Sequence, residues 1–190
     1  MKKILLIIFL LPLLTEVQSQ SFSRGSIITD VGIGTGTYRW FSDTENGRSE
    51  AIFFPVNFMV GIHPRIGINT VFQYNRFRMQ PTGSAHAINL GIGPAFHLIT
   101  MDNLLLSTRF IAGYSNMTMP QPEGELQFRA PGVNFQGLVD ARYYFTQRVG
   151  VTGSLGYGAY HNALRAVFPA NFPFRVSGVQ ALLGISIRNY

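Results

Sequence analysis

From residue 27 onward, apolar residues recur at every second position with small or polar residues between them, the period expected of strands with one apolar face. Ile27, Thr29, Val31, Ile33 and Thr35 alternate with Ile28, Asp30, Gly32, Gly34 and Gly36. Ile52, Phe54, Val56, Phe58, Val60 and Ile62 alternate with Asn57, Met59 and Gly61, and Ile66, Ile68, Thr70, Phe72 and Tyr74 with Gly67, Asn69, Gln73 and Asn75, where only Val71 breaks the pattern. Two further segments set Ile88, Leu90, Ile92, Phe96 and Leu98 against Asn89, Gly91, Gly93 and His97, and Leu104, Leu106, Thr108, Phe110 and Tyr114 against Ser107, Arg109, Gly113 and Ser115. The last three run over 133–145 with Asn134, Gln136, Asp140 and Arg142 on the polar face, over 149–160 with Thr152 and Ser154, and over 179–187 with Gln180, Gly184 and Ser186. No stretch after residue 20 sustains a helical apolar period, so the prediction is all-β with eight strands.

The connections alternate in length. Short turns are expected at 63–65, 100–103 and 146–148, and longer loops at 42–50, 80–85, 117–132 and 162–173. Turns at one end, loops at the other and an even strand count describe an antiparallel up-and-down transmembrane β-barrel. Arg65-Ile66-Gly67-Ile68 is echoed by Arg148-Val149-Gly150-Val151, each opening a strand after a tight turn. A soluble sandwich or lipocalin-like barrel would put the apolar face inward and meet water with Lys, Glu and Asp. The polar face here is mainly Gly, Asn and Ser.

The first residues have a different character. Met1-Lys2-Lys3 precedes an apolar run over 4–14, then a polar stretch with Val17 and Ser19 before Gln20, the layout of a secretory signal cut after Ser19. Domains are therefore expected as a signal peptide over 1–19 and a barrel over 20–190. Composition agrees: only 13% of residues are charged, with 20 Gly and 16 Phe. The formal charge of +6 becomes +5 without the leader, and Arg is then the only cation apart from His. With no Cys, disulfide frameworks and thiolate chemistry are excluded.

Aromatic residues cluster near segment ends: Tyr38, Trp40, Phe41, Tyr74, Phe77, Tyr114, Phe128, Tyr160, Phe168, Phe172 and Phe174 toward the loops, Tyr143, Tyr144, Phe145 and Tyr190 toward the turns. They predict two girdles at the membrane interfaces. Pro55 and Pro94 fall inside predicted strands and call for a bulge, a strand end or a shifted boundary. Tyr190 is out of phase with Leu183, Ile185 and Ile187, so a lipid-facing terminus needs a bulge near Arg188-Asn189.

The N-terminal signal, the eight amphipathic strands, the glycine-rich first strand, the Ala141-Arg142-Tyr143-Tyr144-Phe145-Thr146 strand ending and the terminal aromatic together resemble the small outer-membrane β-barrels of Gram-negative bacteria, the OmpA/OmpX-type and porin-like barrels. The resemblance spans nearly the whole chain after the leader. It implies an outer-membrane location and insertion by the barrel assembly machinery, and says little about activity. Larger members continue into a peptidoglycan-binding domain; this sequence ends at Tyr190, so that role is not carried over.

An eight-stranded barrel is about wide enough for side chains to fill, so a plugged polar lumen is expected. Its ionisable lining is Asp30, His97, Arg109, Asp140, Arg142 and Arg188, and charges there need partners. Counting along the strands sets Arg109 against Asp140. Asp30 and Arg188, on the two strands that close the barrel, form a second expected pair. Glycines on the inner face either leave a cavity for a small ligand or make room for large side chains from the opposite wall.

The loop side gathers Arg39, Arg48, Arg76, Arg78, Arg129, Arg165 and Arg175 against Asp43, Glu45, Glu50, Glu123 and Glu125. Arg binds phosphate bidentately, which makes this rim a candidate contact for lipopolysaccharide. The alternative is a solvated rim with local ion pairs. A lipid A-modifying enzyme would need a nucleophile beside a His base near the outer rim. His161 stands at the right height and Ser154 lies below it, but no His is followed by the His-x-Ser pairing of deacylases. Gly32-x-Gly34-x-Gly36 has strand spacing and opens no helix, so it does not bind a dinucleotide. The expectation is an integral outer-membrane protein with an envelope-integrity or surface-interaction role, without enzymatic activity, metal, cofactor or nucleic-acid partner. A barrel that binds or passes a small ligand is the alternative.

Overall fold

A computed structural model describes residues 22–42, 46–79, 83–119, 128–165 and 171–189. The candidate leader and Tyr190 lie outside the described residues. Eight antiparallel strands, β1 (Ile27–Phe41), β2 (Asn46–His63), β3 (Ile66–Met79), β4 (Gly83–Thr100), β5 (Leu104–Met119), β6 (Phe128–Tyr144), β7 (Val149–Arg165) and β8 (Asn171–Asn189), follow one another round a closed barrel. β1 pairs with β8 from Ile27↔Asn189 to Phe41↔Arg175, which closes the wall.

The two faces divide as the period of two demands. Val31, Ile33, Phe54, Leu90, Leu155 and Leu183 point outward, Leu183 being 72% exposed, while Asn69, Asn75, Asn89, Asn134, Asp140 and Arg142 are wholly enclosed. Apolar side chains outside and polar ones inside invert the arrangement of a soluble barrel.

The strands are longer than the sequence suggests. Residues 46–50, 83–85, 117–119, 128–132, 162–165 and 171–173, expected as loop, are strand. In these extensions Ser49, Ala85, Met117, Ala130 and Asn162 turn inward, while Arg48, Glu50 and Arg129 turn outward. The period of two persists, but with charges on the outer face it looks like loop. The turn end is tight, as expected: Thr146 Oγ1 accepts from the backbone N–H of Val149 at 2.9 Å and of Arg148 at 3.2 Å.

Pro55 and Pro94 sit in mid-strand, at neither a strand end nor a register shift. The β1–β2 ladder omits the two rungs at Gly32 and Ile33 opposite Pro55 and Phe54, then resumes in the same register. The β4–β5 ladder likewise omits Gly93 and Pro94 opposite Ile111 and Phe110. Each proline therefore removes one donor, on one side, without displacing the chain. The register shifts lie elsewhere, at Gly61/His63 and His97/Ile99, toward the turn end.

Inward glycines give space to rings from the next strand and from their own. A Cβ on Gly34 would strike the Phe53 ring, and one on Gly36 the Tyr38 ring. Before β1, the chain from Phe22 to Ser26 folds under the barrel through a turn in which Gly25 takes φ 88°. Gly25 N–H donates to Gly61 O and Gly61 N–H donates to Ser26 O, both at 2.8 Å, pinning this segment to β2. Phe22 is thereby 98% enclosed in the turn-end mouth.

Candidate functional site

The lumen is built in layers, each set by the inward residues at one height. Lowest, at the turn end, Phe22, Ile28, Met59, Ala95, Leu105 and Tyr144 form an apolar cluster. The Phe22 ring lies 4.1 Å from that of His97, whose two ring nitrogens are buried and make no hydrogen bond among the described residues. Arg188 closes this end: its guanidinium sits 4.1 Å over the Tyr144 ring and donates to the Gln147 and Asp102 carbonyls.

Above this lies the charged layer. Arg142 reaches from β6 across to β1, where Nη2 donates to Asp30 Oδ2 at 2.7 Å and Nε is shared between both carboxylate oxygens at 3.2 Å. Its Nη1 donates to Ser107 Oγ at 2.8 Å. Arg109 Nε stands 3.0 Å from Asp140 Oδ2, which also lies 3.8 Å from Arg142 Nη2. The Arg109 contact is off-axis, a pairing of charge without an aligned hydrogen bond. Two cations and two carboxylates thus share one buried cluster, the circumstance in which buried charges are tolerated.

The expected partnership of Asp30 with Arg188 is corrected here: Asp30 takes Arg142. In the β1–β8 register Asp30 lies opposite Ser186, while Arg188 lies opposite Ile28, one inward position nearer the turns. Arg188 is thus level with the turn carbonyls and Arg142 is level with Asp30. Arg109 and Asp140 are also not directly opposite. Arg109 faces Leu138 and Asp140 faces Ser107, so the pair forms along the diagonal.

Next comes a layer of amides and phenols. Tyr38 OH donates to Gln180 Oε1 at 2.8 Å, Gln180 Nε2 to Gln136 Oε1 at 3.2 Å and Gln136 Nε2 to Gln73 Oε1 at 3.4 Å. Gln73 Nε2 then donates to Asn75 Oδ1 at 2.7 Å, and Asn75 Nδ2 to Tyr160 OH at 3.1 Å. This relay crosses the lumen and ties five strands together.

The loop end is again apolar, with Trp40, Phe77, Met79, Met117, Phe174 and Val176 in one cluster and the Trp40 and Phe174 rings stacked at 6.1 Å. The predicted girdles are revised accordingly. Tyr38, Trp40, Phe77, Tyr144, Tyr160 and Phe174 are lumen side chains, and the outer face keeps Phe41, Tyr114, Tyr143 and Phe145, with Tyr74 partly covered. Parity within each strand separates the two sets: Tyr38 and Trp40 continue the inward series of Asp30 and Gly36. The side chains of Phe128, Phe168 and Phe172 are outside the described residues.

On the outside, Arg39, Arg48, Arg76, Arg78, Arg129 and Arg175 are all exposed at the loop end of their strands. The side chain of Arg165, and Asp43, Glu45, Glu123 and Glu125, are outside the described residues. Glu50 lies directly opposite Arg78. Tyr74 OH and His86 Nδ1 are 2.6 Å apart on the same belt, beside Arg76. His161 and Ser154 are not brought together. His161 is exposed on the outer face beside Phe135, and Ser154 is buried in the lumen.

No protein-family model and no curated protein sequence matches this chain. Solved structures do match in fold. The outer-membrane protein OprG of Pseudomonas aeruginosa superposes with a TM-score of 0.62 at 9% identity, covering 91% of this chain and 100% of that one. Neisserial surface protein A gives 0.55 at 10% identity, covering 86% and 96%. Ail, the attachment invasion locus protein of Yersinia pestis, gives 0.51 at 12% identity, covering 87% and 99%. Nearly the whole length of each is matched, and the chain has the fold of these small eight-stranded outer-membrane barrels.

Proposed function

We propose that this chain is an integral protein of the Gram-negative outer membrane, exported with cleavage after Ser19 and inserted by the barrel assembly machinery, with a sealed lumen and a role in envelope integrity. The observation that carries this reading is the inversion of the wall. A continuous outer face of Val, Ile, Leu and Phe encloses a polar and charged interior, which is stable only with hydrocarbon outside. The barrel fold shared with OprG, Neisserial surface protein A and Ail supports the same location.

The layers support the sealed lumen. A permeating solute would meet Phe22 and Leu105 at one end, Trp40 and Phe174 at the other, and between them a charge cluster whose partners it would have to displace. The Arg rim then faces the phosphates of lipopolysaccharide, where guanidinium groups bind best. A non-enzymatic role is supported by the position of His161 and Ser154 on opposite faces of β7, which leaves the nucleophile without its base.

Liposome swelling with the refolded protein tests the sealed lumen. Sugar entry at the rate of protein-free liposomes is expected, and entry well above that rate would overturn it. Fractionation of cells expressing the full chain tests location, with recovery in the outer-membrane fraction expected.

A further inference from the structure

The wall over β7, β8, β1 and β2 carries, at its loop end, a trough of about 690 Å³. We propose that this trough seats one phosphorylated glycolipid of the outer leaflet, a lipid A-type molecule, with a phosphate held between Arg39 and Arg48 and an acyl chain running down the wall below. The inference rests on the outer-membrane reading above and deepens it from a general rim to one site.

Arg39 and Arg48 lie directly opposite each other on β1 and β2, both exposed on the outer face. Like charges in facing positions repel, and a strand pair bearing them is relieved by an anion between the two. Among the described residues neither Arg makes an ion pair or a side-chain hydrogen bond. Arg175 lies opposite Phe41, one outward position above Arg39 along the diagonal, and adds a third cation to the same corner. Glu50 also lines the trough; in register it faces Arg78 on β3, and among the described residues it makes no ion pair with Arg39 or Arg48.

The shape agrees with the charge. Thr37 and Ser177 are the outward residues on the floor beside Arg39, a low lane between the larger Phe41 and Tyr157 rings. One step further down, Thr37 faces Val179 and Val179 faces Tyr157, and the lane opens onto the apolar wall. A free phosphate would satisfy the arginines and leave the lane empty. A phospholipid or glycolipid fills both, and a headgroup bearing more than one phosphate suits three clustered cations best. A second depression in the wall, about 440 Å³ between Pro94 and Tyr157, has no charged residue in its lining and offers a lipid nothing beyond hydrocarbon.

Native mass spectrometry of the full chain, folded in mild detergent, tests the site. Bis-phosphorylated hexa-acylated lipid A, the same lipid dephosphorylated, phosphatidylglycerol and inorganic phosphate are offered in separate runs. One bis-phosphorylated lipid A per barrel is expected, with retention falling at least about tenfold in R39Q/R48Q and changing little in R148Q, at the exposed turn end. Retention of phosphatidylglycerol or inorganic phosphate as strong as that of lipid A would overturn the proposal, as would equal losses in R39Q/R48Q and R148Q. Heat-dependent gel migration reports folding of every variant. A wild-type chain that folds and binds no lipid A overturns this site alone, whereas one that cannot fold in membranes or detergent overturns the outer-membrane reading beneath it.

Discussion

Arginine appears in this barrel in two settings that differ in how its charge is answered. Inside, Arg109 and Arg142 have Asp30 and Asp140 within 4 Å, and each guanidinium is 98% or more enclosed. Outside, Arg39, Arg48 and Arg175 crowd one corner of the wall, and among the described residues they make no ion pair. The lumen side chains are so enclosed that an unanswered charge would be prohibitive, and the chain supplies both partners itself. The rim is bathed by water and headgroups, so the chain can leave the counter-charge to its surroundings.

That contrast can be broken from the inside first. Asp140→Ala removes the carboxylate next to Arg109 and Arg142 and should cost about 3–5 kcal/mol, read from urea unfolding in lipid vesicles. An Asp30→Asn/Arg142→Gln double variant should cost clearly less than the sum of its single changes, because it removes the buried cation and its partner together. Phe22→Ala, which takes the ring from the turn-end mouth, should cost about 1–3 kcal/mol by the same assay and let small solutes penetrate further. The smallest effect should come from the rim. In uncharged detergent Arg39→Gln should be neutral or stabilising by about 0.2–1 kcal/mol, since it relieves the repulsion from Arg48. Raising salt should shrink that rim effect and leave the Asp140→Ala cost largely unchanged, because buried pairs are little screened.

Most of the fold is legible in the period of two. Strand number, order, facing and the turn end follow from residues such as Val31/Gly32 or Leu90/Gly91, because a strand buried on one side only must alternate. The loop ends are harder to read. Past the membrane the outer face of β2 becomes Arg48 and Glu50 and the inner face Gly47 and Ser49, so alternation continues without its hydrophobic signal. The lumen charges are legible as a set, since few ionisable residues fall on inward positions. Their partnerships need the stagger between strands, which sequence spacing does not supply. A stagger of two residues at the β1–β8 seam decides whether Arg188 lies beside Asp30; here Ser186 takes that place and Arg142 reaches Asp30 from across the lumen. The apolar ends of the lumen are misread as girdles for a related reason: an aromatic residue near a strand end suits either face, and only its parity decides.

The two mid-strand prolines give the cylinder an uneven mechanical character. Pro55 thins the seam between β1 and β2, and Pro94 the seam between β4 and β5, each by two rungs. The wall is therefore two stiffer staves, β2 to β4 and β5 through β8 to β1, hinged along two lines. Lateral pressure from the bilayer should flex the cross-section into an ellipse about those lines before it strains any other seam, and amide exchange should be fastest beside them.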